Sequence, residues 1–69
     1  MKEKILRIIQ RSGERGVRLR DISFALNIPN TYLLSPIQDL CMENKIFYKF
    51  GFSGSRRYIF YYAIKYKGE

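Results

Sequence analysis

Side chains able to do chemistry in this chain divide into a few that could catalyse and many that could grip a polyanion. The first group is thin. The 69 residues contain no histidine, Cys41 is the single cysteine, and Asp39 with Glu43 is the one pair of carboxylates at helical i,i+4 spacing. Acid–base and nucleophilic mechanisms need a group titrating near neutrality, or a nucleophile beside a base. A carboxylate pair at that spacing reads more simply as a solvated helix face. A lone cysteine forms no internal disulfide and, without histidine, completes no zinc set; Cys41 reads as a small buried apolar side chain. Gly51 and Gly54 lie in an aromatic, basic turn and not between a strand and a helix, so they make no phosphate loop. The expectation is a binding protein, not an enzyme, with no metal or cofactor.

The second group is large. Thirteen Lys and Arg against six Asp and Glu give a net charge of +7, and 46% of the residues are hydrophobic. So small, folded and basic a chain suggests a polyanion partner. The charge is unevenly spread. Residues 1–20 hold seven basic and two acidic residues, residues 21–44 hold three acidic and no basic ones, and residues 45–69 hold six basic residues and Glu69. Arg56-Arg57 at a turn reads either as a solvated tip or as a phosphate contact. Arg18 and Arg20 flank Leu19, where ion pairing with Asp21, solvation and phosphate contact compete. Lys49, on a strand, would add electrostatic help. Lys2, Lys4, Arg7 and Arg11 read as solubilising one helix.

Four segments must position these groups, in one domain over residues 1–69. Ile5, Leu6, Ile8 and Ile9 recur at helical spacing, which predicts a helix from Met1 to about Ser12, with Gly13 as its left-handed stop. Val17, Arg18 and Leu19 alternate briefly as a strand would. A helix then carries Leu19, Ile22, Phe24, Ala25, Leu26 and Ile28 as its apolar set, with Asp21 in the first turn and a stop at Asn27-Ile28-Pro29. Leu33, Ile37, Leu40 and Cys41 mark a third helix. Its start is open: Asn30 can cap it, and Ser35-Pro36-Ile37-Gln38 offers a cap serine with proline at the first helical position. A short turn through Asn30–Leu34 running into the helix at Pro36 reconciles the two. Lys45–Phe50 and Arg57–Ile64 read as a hairpin linked by Gly51–Arg56, and 65–69 as a frayed tail.

Nine of the eleven aromatics follow Lys45. In a small core Phe47, Tyr48, Phe50, Tyr58, Phe60 and Tyr62 can cover the helices, but strand alternation must send some rings outward. A row of Tyr61, Phe47 or Tyr66 on the surface would suit a homodimer contact.

The order helix, short strand, helix, turn, helix, hairpin resembles a winged helix-turn-helix domain, an α+β fold of three helices and a C-terminal β-hairpin wing. Leu26-Asn27-Ile28, then Leu33, Ile37, Leu40, Asn44 and Ile46, look like that family's run from the helix-turn-helix core into the first wing strand. Leu19 to Tyr61 is also similar to the small transcription regulators of bacterial fimbrial operons, whose basic, glycine-containing wing leads into an aromatic strand, here Gly54-Ser55-Arg56-Arg57-Tyr58-Ile59-Phe60. The resemblance implies that the third helix enters the major groove of duplex DNA and that the wing touches the backbone. The third helix departs from the usual pattern in carrying no Lys or Arg, so the commonest contact to guanine is absent. It offers Asn30, Thr31, Tyr32, Ser35 and Gln38 instead, of which Asn and Gln suit adenine and Thr or Tyr suit phosphate or a thymine methyl.

The leading expectation is therefore a DNA-binding transcription regulator: the third helix in the groove, with Arg18, Arg20, Lys49, Arg56 and Arg57 on phosphates. The alternative is a winged-helix adaptor or dimerisation module that docks through an acidic and apolar third helix and reads no DNA; a homodimer would form through the aromatic hairpin or helix one. The longest apolar stretch, Tyr58–Ile64, is seven residues, against the roughly 20 a spanning helix needs, and Arg7 interrupts the N-terminal apolar run. A cytoplasmic protein with no membrane partner is expected.

Overall fold

Ile5 and Ile9 stand one turn apart on the first helix and are both fully buried, and the rest of the fold closes over them. A computed structural model describes residues 1–67. Helix α1 (Lys2–Ser12) ends at Gly13, whose φ of 58° favours glycine, and a 3-10 turn (Gly13–Arg15) leads into a two-residue strand β1 (Val17–Arg18). Helix α2 (Leu19–Leu26) and a 3-10 turn (Asn30–Tyr32) precede helix α3 (Leu34–Met42). Strands β2 (Ile46–Ser53) and β3 (Arg56–Ala63) form the hairpin, and a further 3-10 turn (Ile64–Tyr66) follows. The sheet is antiparallel in the order β1-β3-β2. This is an α+β chain with the layout of a winged helix-turn-helix.

Local chemistry explains the boundaries. The Asp21 carboxylate accepts the Arg18 backbone N–H at 3.3 Å, half of a capping box that also sets an anion in the first turn of α2. Asn27 closes that helix in the left-handed region (φ 55°, ψ 47°), one of the few non-glycine types that tolerates it. Neither Asn30 nor Ser35 caps α3. The helix starts at Leu34, so the turn expected through Asn30–Leu34 is present and hands over two residues before Pro36. Pro36 falls in the first helical turn, where its missing N–H leaves no bond unmade. Asn44, at φ 62°, swings the chain out of α3 into β2.

The core joins one face of each α-helix and strand: Ile5 and Ile9, Val17, Ile22, Leu33, Ile37 and Leu40, Ile46, and Tyr61. Three expectations need correction. Phe24 is 89% exposed, because it lies on the side of α2 opposite Ile22. Cys41 is only partly buried against the core. Tyr61 is buried and not part of a surface row, while Phe47, Tyr58, Phe60 and Tyr62 occupy the sheet face turned away from the helices.

The hairpin link is also shorter than its composition suggests. Ser53 pairs with Arg56, leaving Gly54-Ser55 as a two-residue turn with Gly54 at φ 63°. Gly51 stays within β2 because the Phe60 ring lies across it, where a β-carbon would collide. The tail expected to fray from Lys65 begins as a 3-10 turn, and residues 68 and 69 lie outside the described residues.

Candidate nucleic-acid interface

The amphipathic period of α3 sorts its side chains. Leu33, Ile37 and Leu40 point into the core, which leaves Ser35 and Gln38 exposed on the other side, continuous with exposed Asn30, Thr31 and Tyr32 of the preceding turn. All five sequence-derived candidates of this region thus lie on one exposed surface, which runs from the turn to the middle of α3 and holds no cation. Exposed Asp39, next to Gln38, is its one charged residue.

Beside it lies an open cleft of about 370 Å³ where the starts of α2 and α3 meet the wing. Leu19, Leu34, Ile59 and Tyr61 give it an apolar lining, and Arg18, Arg20 and Arg57 are the cations that border it. Three arginines separated by up to 39 positions therefore converge on one feature. β1 makes this possible: its pairing of Val17 with Tyr61 and Arg18 with Phe60 brings the start of α2 against the base of the wing.

Strand alternation divides the remaining cations. Arg57, Ile59 and Tyr61 face the cleft together with Phe52, Phe50 and Tyr48 across the hairpin; Arg56, Tyr58, Phe60 and Tyr62 face the other way with Ser53, Gly51, Lys49 and Phe47. Arg56 and Arg57 thus point from opposite faces, and Lys49 lies away from the cleft, its ammonium over the Phe47 and Tyr62 rings. Arg18, on the edge strand, pairs with Phe60 and so sends its side chain to the Tyr58 face while bordering the rim of the cleft. Its guanidinium lies 5.0 Å from the Tyr58 ring centre, and its Nε is 3.6 Å from the Asp21 carboxylate.

The acidic middle of the chain is largely answered by cations. Asp21 pairs with Arg18, and Glu43 pairs with both Lys2 and Lys45, at 3.3 Å in the second case. The hydrogen bond from Lys2, and then that from Lys45, hold the Glu43 carboxyl below its ordinary pKa. Glu43 is at the C-terminal cap of α3, while Asp39 lies one turn after Ser35 and beside Gln38. Partial burial pushes the Cys41 thiol up, the opposite of an activated nucleophile.

Leu34 and Ile59 line the cleft, and Tyr58 touches its rim from the other sheet face, without any of them having stood out as site residues in the sequence. Phe50 and Phe52, 52% and 74% exposed, continue the same wing face beyond the cleft. Only their alternation with Tyr48 could have marked them. Among the described residues no group of His, Cys, Asp and Glu could hold a metal ion, and no helix is long and apolar enough to cross a membrane. No protein-family model matches the chain, and no curated protein matches it.

Proposed function

We propose that this protein binds double-stranded DNA as a transcription regulator, with the N-terminal end of α3 in the major groove and the cleft-facing side of the wing against the flanking backbone. The observation that carries this reading is the convergence of Arg18, Arg20 and Arg57 on one cleft beside a helix surface that holds no cation. Phosphates supply affinity through such cations, while base edges are read by neutral donors and acceptors. Gln38 and Asn30 are the side chains able to pair bidentately with adenine. The pairing of Glu43 with Lys2 and Lys45 and of Asp21 with Arg18 lowers the repulsion that a bare acidic segment would impose.

A labelled mixed-sequence duplex titrated at several salt concentrations tests the reading. With three to four phosphates neutralised, log K is expected to fall against log salt with a slope of about −3 to −4. Gln38→Ala should change base preference more than total affinity. A protein-docking module without DNA contact is the second reading, favoured by the exposed Leu34 in the same cleft and Phe50 and Phe52 beyond it. Absence of duplex binding even at low salt would select it.

A further inference from the structure

We propose that the opposite face of the sheet is a separate binding surface, a stacking platform for single-stranded DNA. The register puts Phe47 and Lys49 of β2 beside Tyr58, Phe60 and Tyr62 of β3 on that face, while Ile46, Tyr61 and Ala63 go to the core. The four rings are half-buried, each covered on one side by its neighbours and open on part of the other. The rings are ordered by the backbone beneath them. Phe60 lies across Gly51, and Tyr62 rests on Gly16, where a β-carbon would sit 2.6 Å from the ring. Phe47 and Tyr62 stack at 5.2 Å between centres with planes 20° apart.

Cations accompany the rings. The Lys49 ammonium lies 5.6 Å and 5.4 Å from the centres of Phe47 and Tyr62, and Arg56 projects from the same face nearer the tip. At the base of the hairpin an open cleft of about 460 Å³ is lined by Lys49, Lys65 and Lys67 with Tyr62 and Tyr66, against one acidic residue, Glu14. Exposed ammonium groups on long stems can swing from a ring to a phosphate, leaving the ring to a base. A cationic track with aromatic side chains is the arrangement that holds single strands without reading sequence, since every base has a π-face. A duplex keeps its bases inside and cannot use the rings. The charge on this face favours a polyanion over an apolar peptide, and an oligodeoxynucleotide satisfies rings and ammoniums together.

This surface meets the α3 cleft at one edge, where Arg18 lies over Tyr58. Phe47 and Lys49 are remote from that edge and line no part of the cleft, so variants there separate the two. The chain has six tyrosines and no tryptophan, so its intrinsic fluorescence reports on tyrosine. The intact protein is titrated at low salt with a twelve-residue oligo(dT), following tyrosine emission and, with a labelled strand, anisotropy. Saturable binding with quenched emission is expected, weakening roughly tenfold between about 50 and 200 mM salt. Phe47→Leu and Lys49→Gln should each lower oligo(dT) affinity, about tenfold for Phe47→Leu, and leave duplex affinity within about twofold. A melting curve confirms that each variant is folded, and Lys49→Gln, on an exposed side chain, guards against a folding effect. Equal binding of oligo(U) supports the proposal, since rings and ammoniums do not read the sugar. No quenching and no anisotropy change with oligo(dT), binding of oligo(U) alone, or parallel loss of duplex and single-strand binding in both variants would each overturn it.

Discussion

Arg57 holds its guanidinium 4.9 Å from the centre of the Phe50 ring on the wing face that borders the α3 cleft. Arg56, its neighbour in the chain, pairs with Ser53 and leaves from the other face. Two arginines that look equivalent in the sequence are therefore expected to behave differently. Arg57→Ala should weaken duplex binding for all sequences alike and flatten the salt slope by about 0.9, the share of one phosphate. Arg56→Ala should change the slope by less than half of that. Salt-dependent anisotropy on the two variants checks the difference, and equal losses would put the duplex at the wing tip and not along the cleft face.

The second expectation concerns Gly51. A methyl group there meets the Phe60 ring, so Gly51→Ala should destabilise the hairpin by about 1–2 kcal/mol, a scale typical of overpacking. In a domain of this size that lowers Tm by about 4–8 °C per kcal/mol. Combining it with Phe60→Leu should give less than the sum of the two single losses, because the same collision is relieved once. Strict additivity in urea unfolding would mean that the ring and the glycine do not meet.

Some of this was legible from spacing and some was not. Ile5 with Ile9, and Leu33, Ile37 and Leu40, announce their helix faces because burial repeats at three and four residues. Phe24 does not obey its own hydrophobicity: α2 has only eight residues, and a ring two positions from Ile22 is turned by about 200° away from the core. Gly51 carried the chemical mark of a turn, yet it serves a close approach inside a strand. The cationic candidates were identifiable one by one. Their grouping was not, because Arg18, Arg20 and Arg57 meet only through the pairing of β1 with β3, which has two residues of sequence signal.

Leu34 and Leu40 give the third expectation, since they share a helix but not an environment. Leu40 is 1% exposed and Leu34 is 54% exposed. Leu40→Ala should remove about 2–5 kcal/mol, which is most of the stability of so small a domain. Leu34→Ala should alter stability by no more than about 0.5 kcal/mol while changing the cleft lining. Urea unfolding followed by far-ultraviolet dichroism separates the two, and comparable losses would contradict the placement of Leu34.

Acid titration gives the fourth. Lys2 and Lys45 depress the Glu43 carboxyl below its ordinary value of 4.5. A depressed carboxylate contributes stability above its unfolded pKa, and that contribution disappears as pH falls through the folded value. Wild type should therefore melt above Glu43→Gln at about pH 6, with the gap closing below about pH 4.5. The effect is small because the pair is exposed and screened. A gap that stays constant from neutral to acid pH would show that the ion pairs joining α3 to α1 and to Lys45 contribute nothing.

The most direct measurement is an amide shift map of the isotope-labelled protein titrated with a short duplex at low salt. Shifts are expected to concentrate on Thr31, Ser35 and Gln38, on Arg18 and Arg20, and on Arg57, with α1 and the C-terminal end of α3 quiet. Absent shifts at a net charge of +7, or shifts confined to α1, would contradict a duplex held between the third helix and the wing.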